Sequence, residues 1–376
     1  MSDHRNGTST SVGSGATVAA AGVAAGALAN VLANVLANVL AKMGSGMGAI
    51  LSVPRDSLTL MRLPDSAADS VADLLDVLDL TCLGEARIVV EGAPGDEETD
   101  LGESTPIVFV GRSQKQAHGR VFGGQVLAQS LVAAARTVEP VDGVARPIHS
   151  LHAYFVRGGD DNHPIRFVVE RVRDGASFST RRVQAVQYGQ TILSMGCSFQ
   201  EPADGMDHQD PMPPAPDPDD IPTLAEALGE HLDPSAAQFF AARRPIELRH
   251  VEGNIYVKPG RQRAARQSVW LKARAELPDD PVIHAAVLAY ASDYPMLEPV
   301  LRRHGVAWQD PRLRPASLDH AMWFHRAPKA DDWVLYTMSS PSASGGRGLG
   351  VGRMFSADGA LMASVAQEGM LRLKEG

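Results

Sequence analysis

The chain has 376 residues, 44% of them hydrophobic, which is enough for two domains that each bury their own core. Its formal net charge of −9 argues against a nucleic acid or an anionic membrane held by bulk electrostatic attraction. The two cysteines, Cys82 and Cys197, have neither metal-knuckle spacing nor a disulfide framework. This cysteine usage predicts a reducing compartment, the cytoplasm.

Residues 1–60 are predicted to form a low-complexity, disordered leader. They combine a Gly/Ser/Thr-rich start with a four-residue repeat, "ALANVLANVLANVLA", that would place its asparagines on one slowly drifting helical stripe. The segment has no positively charged start and no clean apolar run of about 18 residues, which disfavours a signal peptide or a membrane span. We expect nothing catalytic in it.

The first regular elements after the leader are a helix, a loop, a strand and a second helix. The first helix is predicted in "DSAADSVADLLDVLDL", whose apolar residues recur at helical spacing, and the polar "GAPGDEETDLGEST" is predicted as a loop. A strand is predicted from Pro106. The second helix begins at the glycine pair of "HGRVFGGQVLAQSL" and has almost no polar face. It is therefore predicted to be buried on nearly all sides and wrapped by a sheet.

Four strand-like segments follow this helix, in the order "HSLHAYFVRGG", "IRFVVERVRDG", "FSTRRVQAVQYG" and "QTILSMGCSFQ". Turn signals at Gly158-Gly159, Asp174-Gly175 and Gly189 separate them, which predicts an antiparallel meander. One central helix with such a sheet indicates an α+β architecture.

The same order of elements repeats after residues 201–222, an acidic, proline-rich stretch predicted to be a linker. The repeat includes a helix in "LAEALGEHL", the strand "SVWLKARAEL", a helix from Val282, and the strands "SLDHAMWFHR", "DWVLYTMSS", "GRGLGVGRMF" and "LMASVAQEGMLRL". Asp280 is predicted to cap the start of the helix from Val282, with Pro281 in its first turn. "AYFVR" from Ala153 aligns with "MWFHR" from Met322. The number of residues between these two motifs is almost the same as the number between the turn glycines Gly189 and Gly359. We interpret the halves as two fused copies of one domain.

Several motifs in order along the chain resemble the acyl-CoA thioesterase II family of double-hotdog enzymes. They are "HGRVFGGQVLAQSL", "HSLHAYFVRGGD", "RDGASFSTRRVQAVQ", "ASDYPMLEP", "SLDHAMWFHR" and "ASVAQEG", and the resemblance runs from about Asp69 to Leu373. It implies a tandem double hotdog of the α+β class, with an N-terminal hotdog domain at 61–200 and a catalytic C-terminal hotdog domain at 223–376. The implied reaction is hydrolysis of acyl-CoA to a free fatty acid and CoA, with no cofactor and no metal.

The family site consists of an aspartate, a serine or threonine, and a glutamine that hold the attacking water. By resemblance these catalytic roles fall on Asp293 in "ASDYP", Ser317 in "ASLDHAMWFHR" and Gln367 in "VAQEG". Many relatives have threonine where Ser317 stands. Because the hydroxyl is kept, we expect the role to survive, with a less restricted rotamer.

The residues themselves support these roles unequally. Asp293 is predicted on an apolar helical stripe that continues to Met296 and Leu297, where a charge is costly; the alternative is a helix-end aspartate next to Pro295. Gln367 falls on the apolar face of the last strand, so its amide needs partners, which a purely structural hydrogen bond would also supply. Ser317 alone indicates little.

The internal repeat predicts one active site per chain. Gln367 overlies Cys197, and Asp293 overlies Val132, so the first copy lacks both polar groups. The second half would carry the catalytic residues, and the glycine-led helix of the first half would help to shape the pocket.

Other interpretations remain open from the residues alone. An enoyl-CoA hydratase or dehydratase with the hotdog fold would need a histidine and an acid, and His149 or His152 could supply the histidine. A non-catalytic acyl-CoA-binding protein would need none of the three polar groups. The basic "KPGRQRAAR" is either a solvated loop or a contact for the phosphates of CoA, while "GGRGLGVGR" has the glycine alternation of a strand. The predicted partners are an acyl-CoA substrate and a possible homo-oligomer, a dimer or tetramer, with no nucleic acid and no membrane.

Overall fold

A computed structural model describes residues 67–86, 88–89, 103–116, 119–232, 237 and 241–374. The predicted leader at 1–60 lies outside these residues. In the described part of the chain, no helix is long and apolar enough to cross a membrane.

Each half of the chain contributes helices and strands in an equivalent order. The first half comprises α1 (Ala67–Leu78), β1 (Thr81–Glu85), β2 (Ile88–Val89), β3 (Glu103–Ser104), β4 (Ile107–Gly111), α2 (Gly123–Ala135), β5 (Ile148–Phe155), β6 (Ile165–Asp174), β7 (Phe178–Gln187) and β8 (Gln190–Gln200). The second comprises α3 (Leu224–Gly229), β9 (Ile246–His250), β10 (Arg266–Ala273), α4 (Pro281–Ser292), α5 (Glu298–His304), β11 (Leu313–Ser317), β12 (Asp319–Phe324), β13 (Val334–Ser344), β14 (Arg347–Ser356) and β15 (Leu361–Leu373). Between them, residues 201–222 contain one 3-10 turn, Pro218–Asp220.

Thirteen strands form one antiparallel sheet in the order β1-β4-β6-β7-β8-β5-β12-β15-β14-β13-β10-β9, with β11 also paired to β15. This order is palindromic about the β5–β12 pair, where Leu151 faces Met322 and Ala153 faces His320. Because β5 and β12 are equivalent strands of the two copies, a pseudo-twofold axis passes through their junction. The tandem arrangement predicted from the repeat is confirmed.

The two central helices lie side by side in the concave face of this sheet. Every residue of α2 from Gly123 to Ala134 is buried, and α2 contacts α4 as well as β5 to β8. The start of α2 meets the end of α4, so the two helices run antiparallel. The predicted α+β double hotdog, with buried helices wrapped by a sheet, is therefore confirmed.

The structure differs from the sequence prediction at the edges and within the predicted meander. Glu103–Ser104, predicted as loop, pairs with Ile88–Val89. β5 lies beyond β8 instead of next to β6, because its other edge is used to join the two copies. Edge strand β1 was not predicted, since all five of its residues are exposed and it has no buried face. Strand β9 was not predicted either, although Ile246 and Leu248 alternate with Glu247 and Arg249.

Candidate active site

Asp293 is the C-cap residue of α4, and its backbone N–H bonds to the carbonyl of Ala291. Pro295 follows two residues later and disfavours continuation of the helix. The predicted start of this helix is confirmed, because the Asp280 side chain accepts from the N–H of Val282 and Pro281 occupies the first turn. The predicted helical stripe through Met296 is wrong, since the chain turns before it enters α5.

Glycines in β14 and β15 allow the turn after Asp293 to lie close to the sheet. A Cβ on Gly350 would come within 2.4 Å of the Met296 carbonyl oxygen, and one on Gly369 within 2.3 Å of the Leu297 side chain. The alternating glycines of "GGRGLGVGR" thus lie in a strand, as predicted, and make room for the backbone that carries Asp293.

The three side chains predicted as catalytic come together from three different elements. Gln367 Nε2, on β15, donates to Asp293 Oδ1 at 2.9 Å and to Ser317 Oγ at 2.9 Å. Ser317 Oγ, at the end of β11, donates to the same Asp293 oxygen at 3.3 Å. All three residues are buried, with Asp293 the most accessible at 9%. A hydroxyl and an amide therefore meet at one carboxylate oxygen.

The glycine pair that begins α2 completes this arrangement from the first half of the chain. The N–H of Gly124 donates to Asp293 Oδ2 at 2.9 Å. A Cβ on Gly123 would lie 2.8 Å from that oxygen, and one on Gly124 would lie 2.4 Å from the Tyr290 carbonyl. The close approach that this glycine pair permits is therefore chiefly to the end of α4, although Phe155 of the sheet also borders Gly123.

Aromatic side chains hold these two helix ends together. The Phe122 ring, just before α2, stacks on Tyr294 at 4.7 Å and meets Tyr290 edge-on at 5.1 Å. Tyr294 Oη donates to Tyr290 Oη, which donates to Gln114 Oε1. These contacts fix the turn on which Asp293 lies.

A fourth polar side chain, His320, was not identified from the sequence. It is fully buried on β12, with Nδ1 at 2.5 Å from Gln367 Oε1 and Nε2 at 3.0 Å from Ser292 Oγ. The sequence could have indicated that His320 is buried, because it lies two residues before Met322 and so on the same, inward face of the strand.

His320 fixes the orientation of the Gln367 amide. An amide oxygen only accepts hydrogen bonds, so Nδ1 of His320 carries the proton and donates it to Gln367 Oε1. The Gln367 NH₂ group is consequently turned toward Asp293 and Ser317. His320 positions Gln367 without facing the hydroxyl or the carboxylate itself.

Comparisons with known proteins agree with this architecture. A family model described as acyl-CoA thioesterase matches residues 236–370, and one described as acyl-CoA thioesterase N-terminal domain matches residues 112–200. Acyl-CoA thioesterase 2 of Haemophilus influenzae is 38% identical over 272 residues, which cover 72% of this chain and 93% of that protein. The chain belongs to the acyl-CoA thioesterase family.

Two solved structures extend the comparison. An acyl-CoA thioesterase II from Mycobacterium marinum is 42% identical with a TM-score of 0.61, covering 81% of this thioesterase and 99% of that chain. A protein with the hot dog fold from Alicyclobacillus acidocaldarius is 18% identical with a TM-score of 0.60, covering 81% and 99%, and supports the fold alone. The predicted class of enzyme, a thioester hydrolase acting on acyl-CoA, is confirmed, while the roles of individual residues stay predictions.

Burial dominates the electrostatics of the site in this thioesterase. It raises the pKa of Asp293, a shift opposed by His320 and by the hydrogen bonds from Gln367, Gly124 and Ser317. Burial lowers the pKa of His320, against the attraction of Asp293. The site therefore favours a carboxyl group that takes up a proton more readily than an exposed aspartate.

The other candidate residues lie apart from this site. His149 Nε2 contacts Ser198 Oγ at 2.8 Å, and the His152 ring meets the Trp323 ring at 5.2 Å. Within the described residues, neither histidine hydrogen-bonds to a carboxylate. The "KPGRQRAAR" segment is largely exposed, and its contact with CoA phosphates stays a prediction.

Proposed function

We propose that this thioesterase hydrolyses acyl-CoA by direct attack of one water molecule held at Asp293. The convergence of Ser317, Gln367 and the Gly124 N–H on this buried carboxylate supports the proposal. Asp293 would act as general base, a role typically worth about 10²- to 10⁴-fold in rate.

The hydrogen bonds indicate separate roles for Gln367 and Ser317. Gln367 already donates both of its side-chain N–H groups, one to Asp293 and one to Ser317, so it fixes the position of these two side chains relative to each other. The Ser317–Asp293 contact is the longest of the three, at 3.3 Å, and is the one that a water can replace. The water would donate to Asp293 and accept from Ser317, which leaves its second lone pair for the carbonyl carbon.

The reaction then follows in two balanced steps. Water oxygen bonds to the thioester carbon while Asp293 takes the proton, which gives a tetrahedral oxyanion. The C–S bond breaks as the oxyanion collapses, and the CoA thiolate leaves and receives the proton from Asp293. The products are a free fatty acid and CoA.

The N-terminus of α2 can stabilise the oxyanion. Gly123 N–H has no hydrogen-bond acceptor among the described residues, and the preceding Phe122 makes no side-chain cap. This N–H lies at the positive end of the helix dipole and one residue before the N–H that binds Asp293. We assign it as an oxyanion donor.

A hydratase or dehydratase is less well supported by this geometry. His320 and Asp293 are close enough for their charges to interact, but both ring nitrogens of His320 are engaged, with Gln367 and Ser292, and the ring is fully buried behind Gln367. It cannot reach a substrate. A panel of acyl-CoAs assayed for free thiol tests this proposal: hydrolysis releases CoA, hydration changes only a double bond, and binding alone does neither.

The raised pKa of Asp293 predicts the pH profile. Only the carboxylate can accept a proton, so kcat should fall as the pH drops through the Asp293 pKa. Because burial raises that pKa, the midpoint of the acidic limb should lie above the ordinary aspartate value of about 3.9. Initial rates measured across the pH range in which the fold stays intact check this, and a midpoint at or below 3.9 would argue against Asp293 as the base.

Replacing His320 should lower kcat without changing KM. His320→Leu, which introduces the residue found at the equivalent position 151, removes the donor that orients Gln367, with an expected loss of about 10-fold for one hydrogen bond. His320→Asn can place an N–H where Nδ1 stands and should recover most of the rate. If both variants lose activity equally, His320 serves packing alone.

The same proposal includes the domain boundaries and the cellular setting. It keeps the first domain at 61–200, the linker at 201–222 and the second domain at 223–376, in a cytoplasmic protein that can form a dimer or tetramer. Light scattering on the purified full chain measures the assembly state.

A further inference from the structure

We propose that the pseudo-symmetric counterpart of the active site is a second, non-hydrolysing site for a fatty acyl chain. The class of ligand in this inference rests on the proposed function, whereas the location of the site rests on the fold. The pseudo-twofold axis that maps β12 onto β5 also maps the catalytic end of the helix pair onto its opposite end, the C-terminal end of α2 and the N-terminal end of α4.

Every polar side chain of the active site has an apolar or weakly polar counterpart at this opposite end. The counterparts of Asp293, Ser317, His320 and Gln367 are, in order, Val132, Ile148, Leu151 and Cys197. Leu151 faces Cys197 across β5 and β8, just as β12 and β15 bring His320 next to Gln367. All four counterparts are buried, the most accessible at 9%. Nothing in this set can activate a water molecule.

The first turn of α4 has no N–H at the helical position that Gly123 holds in α2. Pro281 has no N–H, the Val282 N–H bonds to the Asp280 side chain, and the His284 N–H bonds to the Asp280 carbonyl. The equivalent turn of α2 instead leaves the N–H of Gly123 available. A thioester bound at the opposite end would thus find neither a counterpart of Asp293 nor an oxyanion donor of this kind.

A cavity of about 270 Å³ nevertheless lies at this end, open to solvent beside Glu201 and Ala203. Its inner wall is hydrocarbon, formed by Leu131, Ile148, Phe199, Val282, Ala285 and Phe324. Both central helices and both copies of the sheet contribute to it, as they do to the catalytic site. An apolar chamber with these elements around it fits the alkyl part of an acyl group.

Polar groups at the rim leave the head of the ligand near solvent. Arg326 lines the cavity and bonds to the Leu361 carbonyl and to Asp207, while His325 and His149 bond to serine hydroxyls. These groups already have partners, so the hydrocarbon chain supplies the recognition. The hydrocarbon chain can belong to a free fatty acid or to an acyl thioester.

The test measures how many acyl ligands bind per chain. Calorimetric titration of the full-length protein uses dodecanoate in one arm and the non-hydrolysable thioether S-dodecyl-CoA in the other. Ala135→Trp fills the cavity from the half-buried end of α2, and Ala145→Trp, in an exposed loop, is the matched control. If Ala135→Trp does not fold, Ala203→Trp at the exposed mouth replaces it.

We expect the parent and Ala145→Trp to bind one equivalent more than the cavity-filled variant in at least one of the two titrations. The titration that shows this difference identifies whether the acyl chain comes from a fatty acid or from an acyl thioester. CoA release should continue at the parental rate in the filled variant, because the length of α2 separates the cavity from the active site by about 18 Å. Equal stoichiometry for parent and filled variant in both arms overturns the inference. Absence of CoA release from the parent would instead overturn the proposed function.

Discussion

Asp293→Asn should lower kcat for acyl-CoA hydrolysis by about 10²- to 10⁴-fold, because it removes the general base while keeping the shape of the side chain. The asparagine oxygen can still accept from Gln367 and Ser317, but its NH₂ group would face the N–H of Gly124. That lost contact is offset by removal of a buried charge, so the thermal midpoint should move by only about 5 °C. Steady-state kinetics and thermal unfolding of the same preparations measure both quantities.

Asp332→Asn is the matched control for this substitution. Asp332 is exposed and pairs only with Lys329 among the described residues, so its loss should change neither kcat nor stability measurably. An Asp293→Asn enzyme as active as this control would show that another group accepts the proton.

Gln367→Leu should reduce kcat by about 10- to 150-fold. The substitution removes two N–H donors, one of them to a charged acceptor, and hydrogen bonds to charged groups contribute about 1.5–3 kcal/mol. Because the Gln367 hydrogen bond lowers the pKa of Asp293, its loss raises that pKa further. The acidic limb of the pH profile should therefore move to higher pH, which a full pH–rate series would detect.

Cys197→Ala provides the control at the pseudo-symmetric position. Cys197 is as deeply buried as Gln367, so truncation should lower stability, but Asp293, Ser317 and Gln367 all lie in the second half of the chain. We expect kcat to be kept. An equal loss of kcat in the two variants would mean that Gln367 acts through packing rather than through its amide.

The sequence predicted the core elements well because their apolar periodicity is strong. The burial of α2, the start of α4 at Asp280, and the inward face of β15 that carries Gln367 all follow from local patterns. The duplication was also visible, since turn glycines and strand motifs recur at nearly constant spacing. These features depend on residues close together in the chain.

Features that depend on distant contacts could not be predicted in the same way. The pairing of β5 with β12 is set by the partner copy, not by any signal within β5. The role of His320 requires knowing that Gln367, 47 residues later, lies beside it on the neighbouring strand. The contact of Asp293 with the N–H of Gly124 joins residues 169 positions apart. Only the tertiary fold brings these groups together.

The most direct test of the central claim is a single turnover in H₂¹⁸O with enzyme in excess over acyl-CoA, followed by mass analysis of the fatty acid and of the peptide that contains Asp293. Direct attack by a water held at the carboxylate predicts one ¹⁸O atom in the fatty acid and none in Asp293. An unlabelled fatty acid together with ¹⁸O in Asp293 would mean that the carboxylate itself attacks the thioester, and would contradict the water mechanism.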